Sequence, residues 1–174
     1  MIYIVRHGQT DWNLEGRYQG RIDIELNNKG EEQAKKISEK LKNVKFDKVI
    51  SSPLKRAYKT AQIICDKEIE TDKRLIERCN GKLEGKLKSE ITFDINFNDT
   101  LENNMGIESI TDFRLRINNF FEDIIKRYKG KNVLIVTHAG VSIYARCYFE
   151  GDPLDGDYSK YKLKNCEFLK YEND

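Results

Sequence analysis

The chain contains two histidines, and each stands directly after a short run rich in Val and Ile: His7 in Ile4-Val5-Arg6-His7-Gly8 and His138 in Ile135-Val136-Thr137-His138-Ala139-Gly140. Arg6 adjoins the first. A third Val/Ile run ends at Ser51-Ser52-Pro53, with Arg56 just beyond. Guanidinium forks can hold the non-bridging oxygens of a phosphoryl group while an imidazole nitrogen attacks phosphorus, so this residue set points to phosphoryl transfer. The attacking nitrogen must be unprotonated, which a hydrogen bond from the other ring nitrogen to a backbone carbonyl enforces. That bond is expected at Gly8, Gly16 or their neighbours, in the glycine-punctuated loop 8–20. A leaving alkoxide also needs a proton. Glu77, behind the apolar lead Leu75-Ile76, and Glu84 are both candidates, and the pattern alone does not separate them.

These groups need elements that converge. Residues 1–6, 47–51 and 132–137 have the pattern of buried strands in a largely parallel sheet. In open α/β sheets ligands bind beyond the carboxyl ends of the strands, so three strand ends would bring His, His and Arg to one edge. Three amphipathic helices lie between the strands. Residues 28–42 place Ala34, Ile37 and Leu41 on one face, with Asn28 and Glu31 as a capping box. Residues 53–66 align Leu54, Ala57, Ala61, Ile64 and Cys65, with Ser52 as N-cap and Pro53 at the first helical position. Residues 111–128 carry Phe113, Ile117, Phe120, Phe121, Ile124, Ile125 and Tyr128 at helical spacing. Strands alternating with helices predict an α/β three-layer sandwich, and Cys166–Tyr171 is a candidate edge strand. The Asn-rich stretch 86–110 reads as a small cap or loop insertion in a single domain spanning 1–174. Tyr158 and Tyr161, with Asp152, Asp155 and Asp157, read as a surface loop with turn residues.

The motifs together resemble a known family. Arg6-His7-Gly8-Gln9-Thr10, Trp12-Asn13 and Gly16-Arg17-Tyr18-Gln19-Gly20 are similar to the opening of the histidine phosphatase superfamily (branch 1), also called phosphoglycerate mutase-like. Leu26-Asn27, Gly30 and Gln33-Ala34 follow, then Ser51-Ser52-Pro53 with Arg56-Ala57 and Thr60-Ala61, then Glu77, Gly81 and Glu84-Gly85, and last His138-Ala139-Gly140. The resemblance implies a phosphohistidine mechanism with His7 as nucleophile and Arg6, Arg56 and His138 gripping the phosphate. It also implies that Glu77 is the proton donor, that Glu84 is a structural cap, and that Asn13 and Ala139 belong to the phosphate pocket. The chain departs from the pattern at Leu83, where many members carry an aromatic, and at Cys79-Asn80.

Composition limits the partners. Charged residues make up 34% of the 174, both signs are interleaved, and the net charge is +2. That balance gives no basis for bulk nucleic-acid binding. The opening run MIYIVRH is too short for a signal sequence or a membrane span, which makes the cytoplasm the expected compartment and reduced thiols the expected state of Cys65, Cys79, Cys147 and Cys166. Their spacing does not suit zinc, and two histidines beside arginines suit a metal poorly, so no metal or cofactor is expected. The leading expectation is a metal-independent phosphatase acting on a small-molecule phosphate ester. A phosphoglycerate mutase and a non-catalytic phosphate-binding module are the alternatives, and the sequence leaves the oligomeric state open. A short cap favours water entry over retention of a bisphosphate, and so favours hydrolysis.

Overall fold

The computed structural model describes residues 1–91 and 104–173. Five strands form one sheet: β1 (Ile2–Arg6), β2 (Lys48–Ser51), β3 (Ile69–Thr71), β4 (Val133–Thr137) and β5 (Phe168–Tyr171). Their order is β3-β2-β4-β1-β5, with every pairing parallel except β5 against β1. The final run is thus an edge strand, as expected.

Five helices matter for the site: α1 (Asp11–Leu14), α2 (Asn28–Leu41), α3 (Lys55–Ile64), α4 (Ile110–Arg127) and α5 (Ala139–Glu150). Successive strand residues point to opposite faces, so the continuous apolar run of β1 serves two cores. Tyr3 and Val5 pack with Ala34, Ile37 and Leu41 of α2 and Ala57, Ala61 and Ile64 of α3. Ile2 and Ile4 pack with Phe113, Ile117, Phe120, Phe121 and Ile124 of α4 and Val141 and Ala145 of α5. Each fully buried side chain of this kind contributes roughly 1.5–3 kcal/mol. The sheet is therefore sandwiched between α2/α3 and α4/α5, the three-layer arrangement read from the sequence.

Two helix starts differ from expectation. Asn27, not Asn28, caps α2: its backbone is extended and its side-chain oxygen accepts from Gly30 N at 2.9 Å, the reach that an N-cap needs. Helix α3 begins at Lys55 with Leu54 at the N-cap, whose side chain has no acceptor to cap with; the Ser52 hydroxyl accepts from Leu54 N at 3.4 Å and lies 2.7 Å from His138 Nε2. Of the expected 86–110 cap, residues 92–103 lie outside the described residues. At its ends Ile91, Met105 and Ile107 join Tyr18 and Leu83 in a small separate cluster. Among the described residues no helix is long and apolar enough to cross a membrane.

Candidate active site

Sheet register gathers the distant pieces. Arg6 pairs with Thr137 and Ser51 with Val136, so the next residues, His7, His138 and Ser52, leave the sheet at the same carboxyl edge. His7 N donates to Thr137 O at 2.9 Å and Ser52 N to Val136 O at 3.0 Å. The two imidazoles meet with ring centroids 5.2 Å apart, and His138 Nε2 lies 2.7 Å from Ser52 Oγ.

His7 Nδ1 lies 2.7 Å from the carbonyl oxygen of Gly8. A carbonyl can only accept, so Nδ1 carries the proton and Nε2 the lone pair. The expected orienting bond thus falls on Gly8. That residue must be glycine for a second reason: a Cβ there would stand 2.4 Å from Gly30 O, where the loop crosses the start of α2. Gly8 N is tied to Thr60 Oγ1 at 3.1 Å. Both histidines are buried, and both are held well below the ordinary imidazole value of 6.5. Burial is the main cause, followed by Arg56 in each case and by Arg6 as a further cation. Two neutral imidazoles result at neutral pH.

Arg6, at the end of β1, donates from Nη1 to Leu163 O at 2.7 Å. Arg56, in the first turn of α3, donates to Ile22 O and Gly20 O, both at 2.8 Å. Burial lowers the Arg56 guanidinium to about 10, still far above neutrality, so it keeps its charge. Glu77 follows a short helical turn anchored by the Thr137 hydroxyl on Leu75 O at 3.0 Å. Both of its carboxylate oxygens accept backbone N–H groups, Oε1 from Arg78 and Oε2 from Gly140, each at 3.0 Å. Glu84, its rival in the sequence, instead accepts from Arg21 N and Asn80 N at 2.9 and 3.0 Å, bracing two loops.

These groups surround a cavity of about 400 Å3 lined by Arg6, His7, Asn13, Arg56, Glu77 and Ala139 among others, with His138 directly behind His7. Asn13 closes a capping box with Thr10, and its side-chain oxygen also accepts from Asn165 Nδ2 at 3.2 Å, while its side-chain Nδ2 takes no part in either contact. Among the described residues five buried side-chain polar atoms have no partner, and four belong here: Arg6 Nε, Arg56 Nε, His138 Nδ1 and Gln19 Oε1. Leaving a buried polar group unmade costs about 1–3 kcal/mol. Concentrating that cost around one histidine marks a place built for a polar ligand. No group of three metal-ligating side chains occurs among the described residues.

Gln19 and Gly20, from the motif Gly16-Arg17-Tyr18-Gln19-Gly20, line the cavity. Several site residues escaped the sequence reading. The segment expected to be only a surface loop also reaches the wall, through Asp157, Tyr158, Ser159 and Lys162. Its turn chemistry is nonetheless real: Asp157 Oδ1 accepts from Ser159 N at 3.1 Å. Asn165 Nδ2 donates to His7 O at 3.0 Å. Arg116, on a helix read as a core face, donates to Glu77 O at 3.3 Å and to the Glu108 carboxylate at 2.8 and 2.9 Å. Nothing in the local pattern around 116 or 165 marks these contacts.

The profile of the histidine phosphatase superfamily (branch 1) matches residues 2–174. The chain is 38% identical to phosphoglycerate mutase-like protein 4 of Arabidopsis thaliana over 83% of its own length and 70% of that protein. It is 31% identical to phosphoserine phosphatase 1 of Hydrogenobacter thermophilus over 98% of its own length and 83% of that protein. The crystal structure of a phosphoserine phosphatase from Entamoeba histolytica, in complex with 3-phosphoglyceric acid, superposes with a TM-score of 0.79 at 30% identity, covering 96% of this chain and 87% of that one. With its histidines, arginines and glutamate gathered at one sheet edge, the chain belongs to the histidine phosphatase superfamily, branch 1.

Proposed function

We propose that the protein is a metal-independent phosphatase that hydrolyses small phosphate monoesters through a phosphohistidine on His7. In the first half-reaction His7 Nε2 attacks phosphorus, the bond to the leaving oxygen breaks, and Glu77 gives that oxygen its proton. In the second, Glu77 takes a proton from water, the hydroxide attacks phosphorus, the P–N bond breaks and inorganic phosphate leaves. Arg6, Arg56 and the His138 ring hold the non-bridging oxygens, with Asn13 and the start of α5 at Ala139 completing the pocket. A cytoplasmic setting is in keeping with four free thiols.

The observation that carries this reading is the set of unpartnered buried atoms on Arg6, Arg56 and His138 around a histidine whose lone pair is on Nε2. Phosphoryl oxygens would satisfy the N–H donors among them. The test is turnover of an aryl phosphate and a panel of metabolite monoesters in EDTA, with His7→Ala alongside. Turnover in chelator, lowered in the variant by a factor on the order of 10^4, is the expected result. Wild-type rates in His7→Ala would overturn it. The similarity to a mutase-like protein supports a second reading, isomerisation of a monophosphate, which a bisphosphate-primed arm of the same panel detects.

A further inference from the structure

His138 is buried and neutral, so its ring carries one proton, and the nitrogen that holds it decides what the ring offers the pocket. Nε2 lies 2.7 Å from Ser52 Oγ, while Nδ1 is buried without a partner among the described residues. Which member of the Ser52–His138 pair donates is settled by what else Ser52 touches.

Ser52 is fully buried, and its Oγ accepts from Leu54 N at 3.4 Å, a group that can only donate. Four other buried hydroxyls around this sheet edge send their protons to carbonyl oxygens: Ser51 to Ser52 O at 2.9 Å, Thr60 to Arg56 O at 2.7 Å, Thr137 to Leu75 O at 3.0 Å and Ser142 to Ala139 O at 2.7 Å. The Ser52 hydroxyl meets no carbonyl among the described residues, so the ring nitrogen is the acceptor left to it. Were Nε2 to donate instead, the serine proton would be shut unpaired inside the fold, which is unfavourable. The backbone keeps the pair aligned. Ser52 N donates to Val136 O at 3.0 Å, two residues before His138, and Pro53 holds Ser52 out of the helical region.

We infer that Ser52 is a positioning residue: its hydroxyl donates to His138 Nε2, keeps the ring proton on Nδ1, and so makes His138 present an N–H rather than a lone pair to a phosphoryl oxygen. The role at phosphorus rests on the phosphatase reading; the tautomer does not. His7 is the same tautomer through the opposite device, an acceptor at Nδ1 in place of a donor at Nε2. One form of imidazole thereby serves two purposes, leaving His7 with a free lone pair for attack and His138 with a free N–H for charge stabilisation.

The whole chain, labelled with 15N in its two histidine rings, tests this by NMR near neutral pH. Long-range 1H–15N correlations distinguish the tautomers, and the ligand-free wild type is expected to show Nδ1–H in both rings. In Ser52→Ala the His7 pattern should stay, whereas His138 should move to Nε2–H or to a mixture. Ser52→Thr, which retains the hydroxyl, should keep the wild-type pattern. Affinity for inorganic phosphate and kcat/KM on an aryl phosphate should each fall about tenfold in Ser52→Ala and recover in Ser52→Thr. Nε2–H on His138 in the wild type would overturn the inference whatever the variants do, and so would an unchanged His138 tautomer in folded Ser52→Ala. The expected tautomers in a protein that hydrolyses no ester and binds no phosphate would sink the phosphatase reading instead, and leave the control of the ring by Ser52 standing.

Discussion

Gly140 N donates to Glu77 Oε2 at 3.0 Å, and a Cβ on Gly140 would lie 2.4 Å from Glu77 Oε1. The first turn of α5 therefore holds the carboxylate and needs a residue without a side chain to do so. Phe113, which would meet the same Cβ at 3.2 Å, closes off the other direction.

Gly140→Ala should accordingly displace the Glu77 carboxylate without harming the helix, whose propensity favours alanine. A shift of this kind costs up to about 10²-fold in rate. The loss should be large on alkyl phosphates, whose leaving alkoxide needs a proton, and small on an aryl phosphate, whose phenoxide departs more readily. Comparing kcat on phosphoserine and on an aryl phosphate, with a thermal melt as a folding control, checks this. Equal losses on both would remove Glu77 from the proton-donor role.

The buried histidines also link stability to pH. Both are held well below 6.5 in the folded protein, whereas the unfolded chain protonates them near 6.5. With folded values depressed, the unfolded state binds more protons as pH falls, so stability is complete above about 6.5 and is lost through the window below it. The chain has two histidines and no other side chain with an ordinary pKa in that window. Urea unfolding should therefore show a loss of about 2–3 kcal/mol between about pH 7 and pH 5.5. Flat stability across that range would mean that the imidazoles are protonated in the folded state.

Much of this architecture is legible in the residues. His7 and His138 are exposed by their position at the ends of β1 and β4, whose unbroken apolar runs announce strands buried on both faces. Amphipathic spacing alone places Ala34, Ile37 and Leu41 against the sheet. Where the reading slipped, a distant partner had intervened. Ser52 has the form of an N-cap beside Pro53, but the helix starts two residues later than that pattern suggests, and the Ser52 hydroxyl also meets a ring 86 positions further along the chain. Adjacent asparagines at 27 and 28 offer the same cap chemistry, and only backbone geometry selects Asn27. The 156–165 segment is built from genuine turn residues, yet Leu163 O meets Arg6 and Asn165 meets His7 O, contacts that no local pattern encodes.

The most direct test of the account is to trap the covalent intermediate. Enzyme mixed rapidly with a 32P-labelled ester, quenched in base and digested, should carry label on the peptide containing His7, stable to alkali and lost in acid, and the label should be absent from His7→Ala. Turnover without label on that peptide, or label elsewhere that His7→Ala retains, would contradict a phosphohistidine on His7.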